Sequence, residues 1–186
     1  MNEQERELAA HHLAASRERL LGLVQGLSAE QWVFHPAEGR WSIGDCLEHL
    51  TRVENRVMGF IAEKLQGPPS AEVPSSVREK DAALMQAVPD RTERRQAPET
   101  ARPEGKCPDG GQLLAEFLKT RTESARFAAE TRADLRSYTQ HHGAFGDLDC
   151  YQWLLLMGLH AERHARQIEE IKADAGFPAT AGATAA

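Results

Sequence analysis

His160 and His164 are separated by three residues within the apolar stretch from Trp153 to Ile171. On a helix, residues four apart lie one turn from each other and about 40° apart around the axis. Two imidazoles so placed can reach one metal ion. At ~100° per residue, Trp153, Leu156, Met157 and Ile171 all fall within about 60° of His160, so the pair sits on the core-facing stripe. Burying two neutral imidazoles without partners is costly, and a shared cation would satisfy both. The ordinary reading of a lone H-x-x-x-H is two packed histidines with no metal. The inward position, the apolar flanks and Gln167 on the same stripe weigh against it here.

A zincin-type protease is excluded. In H-E-x-x-H the glutamate follows the first histidine and can act as general base. Ala161 occupies that position, and Glu162 falls on the far side of the helix.

Two protein ligands rarely complete a site, so a third is sought among His11, His12, His35, His49, His141 and His142. His49 fits best, at the shoulder of an apolar helix face two turns past its cap. Asp45, one turn earlier, could orient the His49 ring or simply place a charge at the helix N-terminus.

Four helices position these residues. The first is expected from Glu3 to Leu27, with Leu13, Leu20, Val24 and Leu27 at helical spacing. Ser28-Ala29-Glu30-Gln31 reads as a capping box opening a short turn. Ser42-Ile43-Gly44-Asp45 is a second box, starting a helix that runs to about Leu65, where Gly67-Pro68-Pro69 stops it. Residues 66–109 then form a connection with seven of the nine prolines, broken by one short helix around Val77 to Val88. A connection this long inside one domain calls for a reason. It would let the second and third helices run parallel, or it would cover a site. The third helix is expected from Gly111 to Leu135. A loop from Ser137 to Asp147 follows, and the fourth helix runs from Asp149 to about Asp174–Gly176. No strand is expected. The fold class is therefore all-α, a four-helix bundle with a long crossover between helices two and three. It forms one domain over residues 1–176, with a disordered Ala/Thr/Gly-rich tail at 177–186.

Composition narrows the function. The net charge is −6, from 22 Lys and Arg against 28 Asp and Glu. That opposes a nucleic-acid footprint, which needs a basic face. There is no apolar run of about 20 residues to span a membrane. Three widely spaced cysteines (Cys46, Cys107, Cys150) and a polar, acidic N-terminus suit a cytoplasmic protein without disulfides. Cys46 reads first as a core thiol and only then as a soft ligand or nucleophile. Trp41 and Trp153 could wall a pocket, His141 and His142 could line its mouth, and Arg52, Arg56 or Arg163 could hold an anionic substrate. Packing and solvation are the default for each.

Two segments together resemble the DinB/YfiT family. One is His35-Pro36-Ala37-Glu38-Gly39-Arg40-Trp41-Ser42-Ile43-Gly44-Asp45-Cys46-Leu47-Glu48-His49-Leu50. The other is Tyr151-Gln152-Trp153-Leu154 followed by His160-Ala161-Glu162-Arg163-His164-Ala165-Arg166-Gln167-Ile168. The resemblance covers roughly residues 5–174. It implies a four-helix bundle in which three histidines bind one divalent metal, here His49, His160 and His164. It also implies thiol-dependent S-transfer with bacillithiol, mycothiol or glutathione, or a mycothiol-dependent isomerisation, and often a homodimer. Three neutral imidazoles leave the metal charge uncompensated. Zn²⁺ or Ni²⁺ suits such a site first, then Mn²⁺ or Fe²⁺. A thiolate held there would attack an electrophile, and a hydroxide would hydrolyse one. The expectation is thus a metal-dependent enzyme acting on a small molecule, with a low-molecular-weight thiol as co-substrate. The alternatives are a metal-dependent hydrolase and a non-catalytic metal- or ligand-binding stress-response protein.

Overall fold

A computed structural model describes residues 1–105 and 109–179. Four long helices dominate: α1 (Glu3–Val24), α3 (Ile43–Gln66), α6 (Gly110–Glu130) and α7 (Cys150–Lys172). Three short ones lie between them: α2 (Ala29–Val33), α4 (Ser75–Arg78) and α5 (Asp81–Ala87). None of the helices is long and apolar enough to cross a membrane.

The caps are where the residue types place them. Ser28 and Gln31 close a reciprocal box on α2, Ser42 and Asp45 on α3, and Asp149 and Gln152 on α7. In each, two N–H groups that the first helical turn cannot pair find side-chain acceptors. Two helices stop short of the expected ends. α1 ends at Val24 rather than Leu27 because the chain turns at Gly26, whose φ of +76° is left-handed. α6 ends at Glu130, and Leu135 is buried instead in a 3₁₀ turn, Leu135–Ser137.

The all-α fold class holds, but the expectation of no strand needs correction. Thr139–His142 (β1) and Gly146–Asp149 (β2) form a small antiparallel hairpin, with Thr139 opposite Asp149 and His142 opposite Gly146. The strands hold four residues each and no apolar alternation, so periodicity could not reveal them. Their pairing satisfies the backbone of the segment that delivers Asp149 to its cap. Past the end of the last helix, Phe177 stacks edge-on against Phe34, and the Pro178 carbonyl accepts from Gln31 Nε2 at 2.8 Å. The rest of the expected tail, 180–186, lies outside the described residues.

α1 packs against α6 and α7, and α3 packs against the same two. Gly44 meets Leu113 while Glu54 meets Arg121. Contacts thus advance together along α3 and α6, the order a parallel pair requires and one that the long crossover allows. α1 and α7 approach closely at Gly158, where a Cβ would stand 2.8 Å from the His12 backbone and Cβ. One apolar cluster, with Leu13, Ile61, Tyr151 and Leu154, fills one part of the core. A second, with Leu20, Ile43, Leu47, Phe117 and Ile168, fills another.

Between the helices lies a buried ion pair. Arg121 on α6 is forked onto Glu54 on α3, with contacts of 2.8–3.0 Å, and its Nη1 donates to Ser16 Oγ and the Leu13 carbonyl of α1. Three helices are thereby tied at one depth, with the buried charges paired and hydrogen-bonded.

Candidate metal centre

His49 projects from α3, and His160 and His164 from α7. One ring nitrogen of each lies within 4.8 Å of the other two. The His49 and His160 Nε2 atoms are 3.3 Å apart, and those of His160 and His164 3.1 Å. The i, i+4 spacing on α7 therefore does bring its two imidazoles to one point, and α3 supplies the third.

The tautomer of His49 is fixed by its other nitrogen. Nδ1 lies 2.6 Å from the Ala101 carbonyl oxygen, which only accepts, so Nδ1 carries the proton. Nε2 is then a bare lone pair aimed into the cluster. Protons alone cannot satisfy this arrangement. A neutral His160 that is protonated on Nε2 can donate to His49 or to His164, not to both. One buried acceptor stays unpaired. A cation at the centre removes the conflict. Two metal–nitrogen bonds of about 2.0–2.1 Å, set 90–110° apart, hold their nitrogens ~2.9–3.4 Å apart, a range that contains both observed separations. The donor set fits a divalent ion.

His49 and His164 are buried and His160 is half-buried, the least enclosed of the three rings. Among the described residues no other His, Cys, Asp or Glu joins the group. His49 is held below the ordinary histidine range, chiefly by burial and partly offset by its bond to Ala101. His160 and His164 are held well below it, by burial first, then by neighbouring imidazoles and by the nearby Arg163 charge. All three are therefore neutral ligands near pH 7.

The carbonyl that orients His49 comes from the crossover, in the 3₁₀ turn Glu99–Ala101. Three side chains of α3 fasten that segment. Glu48 accepts from the N–H groups of Glu104 (2.8 Å) and Gly105 (3.0 Å), Arg52 pairs with Glu104 (2.6 Å), and Arg56 donates to Thr100 Oγ1 (2.7 Å). The long crossover thus does cover the site. Arg52 and Arg56, weighed from the sequence as substrate holders, fasten this segment. Asp45 does not orient His49; its carboxylate accepts from the Ser42 N–H at 2.9 Å and so belongs to the helix cap.

Trp41 stacks on His164, with centroids 5.8 Å apart and planes 15° off parallel, and leans on His49 at 4.8 Å. It is a wall of the cluster. Trp153 packs with Phe60 and His142, and its indole N–H donates to the Gln140 carbonyl. Gln167 accepts from Arg91 at 3.1 Å. The other histidines stand apart: His35 donates to the Arg40 carbonyl (2.7 Å), His141 pairs with Asp147 (2.9 Å), and His11 and His12 lie edge to face on α1. Cys46 and Cys150 are buried free thiols, the first pushed far above the ordinary thiol range by burial and the second up to about 12.

A protein-family model, that of the DinB superfamily, matches residues 12–168. The chain belongs to the DinB superfamily. That superfamily is metal-binding, in keeping with the three-histidine cluster. An uncharacterized protein of Bacillus subtilis (strain 168), YuaE, is 26% identical over 149 residues, covering 80% of this chain and 88% of its own. No solved structure matches the chain.

The Ala101 carbonyl escaped sequence reasoning, because a backbone acceptor leaves no mark in residue type. The unusual length of the crossover was the one signal that pointed toward it.

Proposed function

We propose that this DinB-superfamily protein is a metal-dependent enzyme that transfers a small thiol to an electrophile, with His49, His160 and His164 holding one divalent ion. The observation that carries the reading is the convergence of three neutral imidazoles on one point, with His160 the least buried of them. An ion held there, Zn²⁺ or Ni²⁺ first, supplies a charge that lowers the pKa of a thiol or water in its open positions.

The chain's own residues favour an external thiol. Its two described cysteines are buried and held protonated, so neither supplies the nucleophile. They also give hydrolysis little help. Ala161 stands where a zincin carries its base, and Glu162 is turned away onto Arg19 and Arg166. The thiol proton would leave to solvent, and the thiolate sulfur would form the new bond as the leaving group departs with its electron pair. His49, fixed by Ala101, and Trp41, stacked on His164, keep the ligand rings in place during this step.

On the resemblance and the composition, the reading extends to a cytoplasmic homodimer. Sedimentation velocity reads the oligomer. Elemental analysis of gently purified protein, beside His160→Ala and His49→Ala, tests the centre: about one equivalent of a single metal, lost in both variants, is expected for three ligands. The loaded protein is then assayed with glutathione, bacillithiol or mycothiol and 1-chloro-2,4-dinitrobenzene. No metal as purified and no uptake of Zn²⁺, Ni²⁺ or Mn²⁺ would sink the reading. Metal without turnover would make the protein a binding module.

A further inference from the structure

Arg163 follows His160 by three residues and precedes His164 by one, and it is only 7% exposed. Its Nη2 donates to the Glu93 carbonyl at 2.7 Å, but its Nη1 is buried with no hydrogen-bond partner. A buried guanidinium edge left unpaired costs free energy in the ligand-free protein. The surrounding charge does not repair it. Arg91 and Arg95 stand near Arg163, with Asp90 and Glu170 as the nearby acids. Glu170 is already forked onto Arg91, at 2.7 Å on each side, and Asp90 accepts from the Thr92 N–H and hydroxyl. Both nearby acids are thus already engaged, while Arg91, Arg94, Arg95 and Arg40 add positive charge around them. The Arg95 guanidinium lies over the Phe145 ring, 5.1 Å from its centroid. Three residues past His160 on the same helix, Arg163 lies one turn along beside that ligand and so beside the cluster.

We propose that Arg163, with Arg95 as a second cation, forms a carboxylate-binding subsite next to the three-histidine cluster, so that the small molecule used there carries a carboxylate. The position of this subsite rests on the metal reading; the unpaired Nη1 does not. A free guanidinium edge suits the planar pair of oxygens of a carboxylate. The carboxylate belongs either to the thiol or to the electrophile.

The test uses the full-length protein loaded with Co²⁺, titrated with 3-mercaptopropionate and with its neutral amide, and read by the thiolate-to-cobalt absorption. Wild type should bind the carboxylate about tenfold tighter than the amide, the usual weight of a charge-assisted hydrogen bond. Arg163→Gln should erase that preference and leave amide affinity and cobalt content unchanged. Arg163→Lys should keep part of it. Arg95→Gln, at an exposed position, should reduce it about two- to threefold, as a partly screened charge would. Equal affinities in wild type, or equal weakening of both probes in Arg163→Gln, overturn the proposal for the thiol. A preference for iodoacetate over iodoacetamide, with 2-mercaptoethanol as the thiol, would instead place the carboxylate on the electrophile. No preference in either pair overturns the subsite altogether. If the protein takes up no Co²⁺, the metal reading has failed and the subsite is decided on metal-free protein. There the Arg163 Nε–H resonance, assigned with Arg163→Lys, must shift and saturate with 3-mercaptopropionate but not with the amide. A resonance that does not move overturns the proposal.

Discussion

His49 Nδ1 donates to the Ala101 carbonyl at 2.6 Å, across 52 residues of chain. A bond to the other nitrogen of a metal-ligating imidazole fixes both the tautomer and the ring plane. Here the crossover performs that task, and Glu48 secures the crossover through the N–H groups of Glu104 and Gly105. Glu48→Ala should therefore weaken metal binding about tenfold without unfolding the bundle, the lower end of the range for residues that orient a ligand. Competition against a chromophoric chelator, with circular dichroism as the folding control, measures it. Unchanged affinity would mean that the crossover is not what orients His49.

Acid should destabilise the metal-free protein. Burial is the leading cause that holds His49, His160 and His164 below their ordinary pKa. The unfolded chain protonates these groups near pH ~6.5, whereas the folded protein resists until lower pH. Their contribution is thus fully present above about pH 6.5 and is lost as pH falls toward the depressed folded values, at no more than about 1.4 kcal/mol per pH unit for each histidine. Urea midpoints at pH 7.5, 6.5 and 5.5 should fall in that order, and His160→Ala should flatten the trend. Identical midpoints across the series would show that the histidines are not held neutral.

The stacking of Trp41 on His164 makes it a reporter. Ni²⁺ bound at the cluster should quench tryptophan fluorescence, saturating at one equivalent. Trp41→Phe should keep the binding and lose most of the quenching, since Phe preserves a stacking ring. Quenching that survives intact in the variant would assign the signal to Trp153 or Trp32 and place the ion elsewhere.

The sequence reveals what is local. Ser28, Ser42 and Asp149 announce their helix starts because a capping box is a four-residue pattern, and the His160/His164 pair announces itself because one helical turn sets its geometry. His49 is harder to find: its place at a helix shoulder suggested it among six histidines, and the resemblance singled it out. What stayed hidden depends on tertiary packing. The Ala101 carbonyl has no residue-type signature, and the Thr139–Asp149 hairpin is too short and polar to show a period of two. The fastening roles of Arg52 and Arg56 require knowing where residues 100–104 cross α3.

The Glu54–Arg121 pair gives the most direct test of the bundle itself. Both side chains are almost wholly buried, and Arg121 also serves Ser16 and the Leu13 carbonyl. Removing one charge strands the other in a low-dielectric interior. Glu54→Ala should therefore cost about 3–5 kcal/mol. For a chain of this length that lowers the melting temperature by roughly 6–20 °C. Replacing both, Glu54→Leu with Arg121→Met, should recover most of the loss, because a well-packed apolar pair avoids the desolvation penalty altogether. The recovery will be incomplete, since Ser16 Oγ and the Leu13 carbonyl each lose the Arg121 donor. Calorimetry of Glu54→Ala and of the double variant separates the terms. If Glu54→Ala melts within 2 °C of wild type, on the order of 1 kcal/mol or less, water reaches the pair and the helices are not tied there.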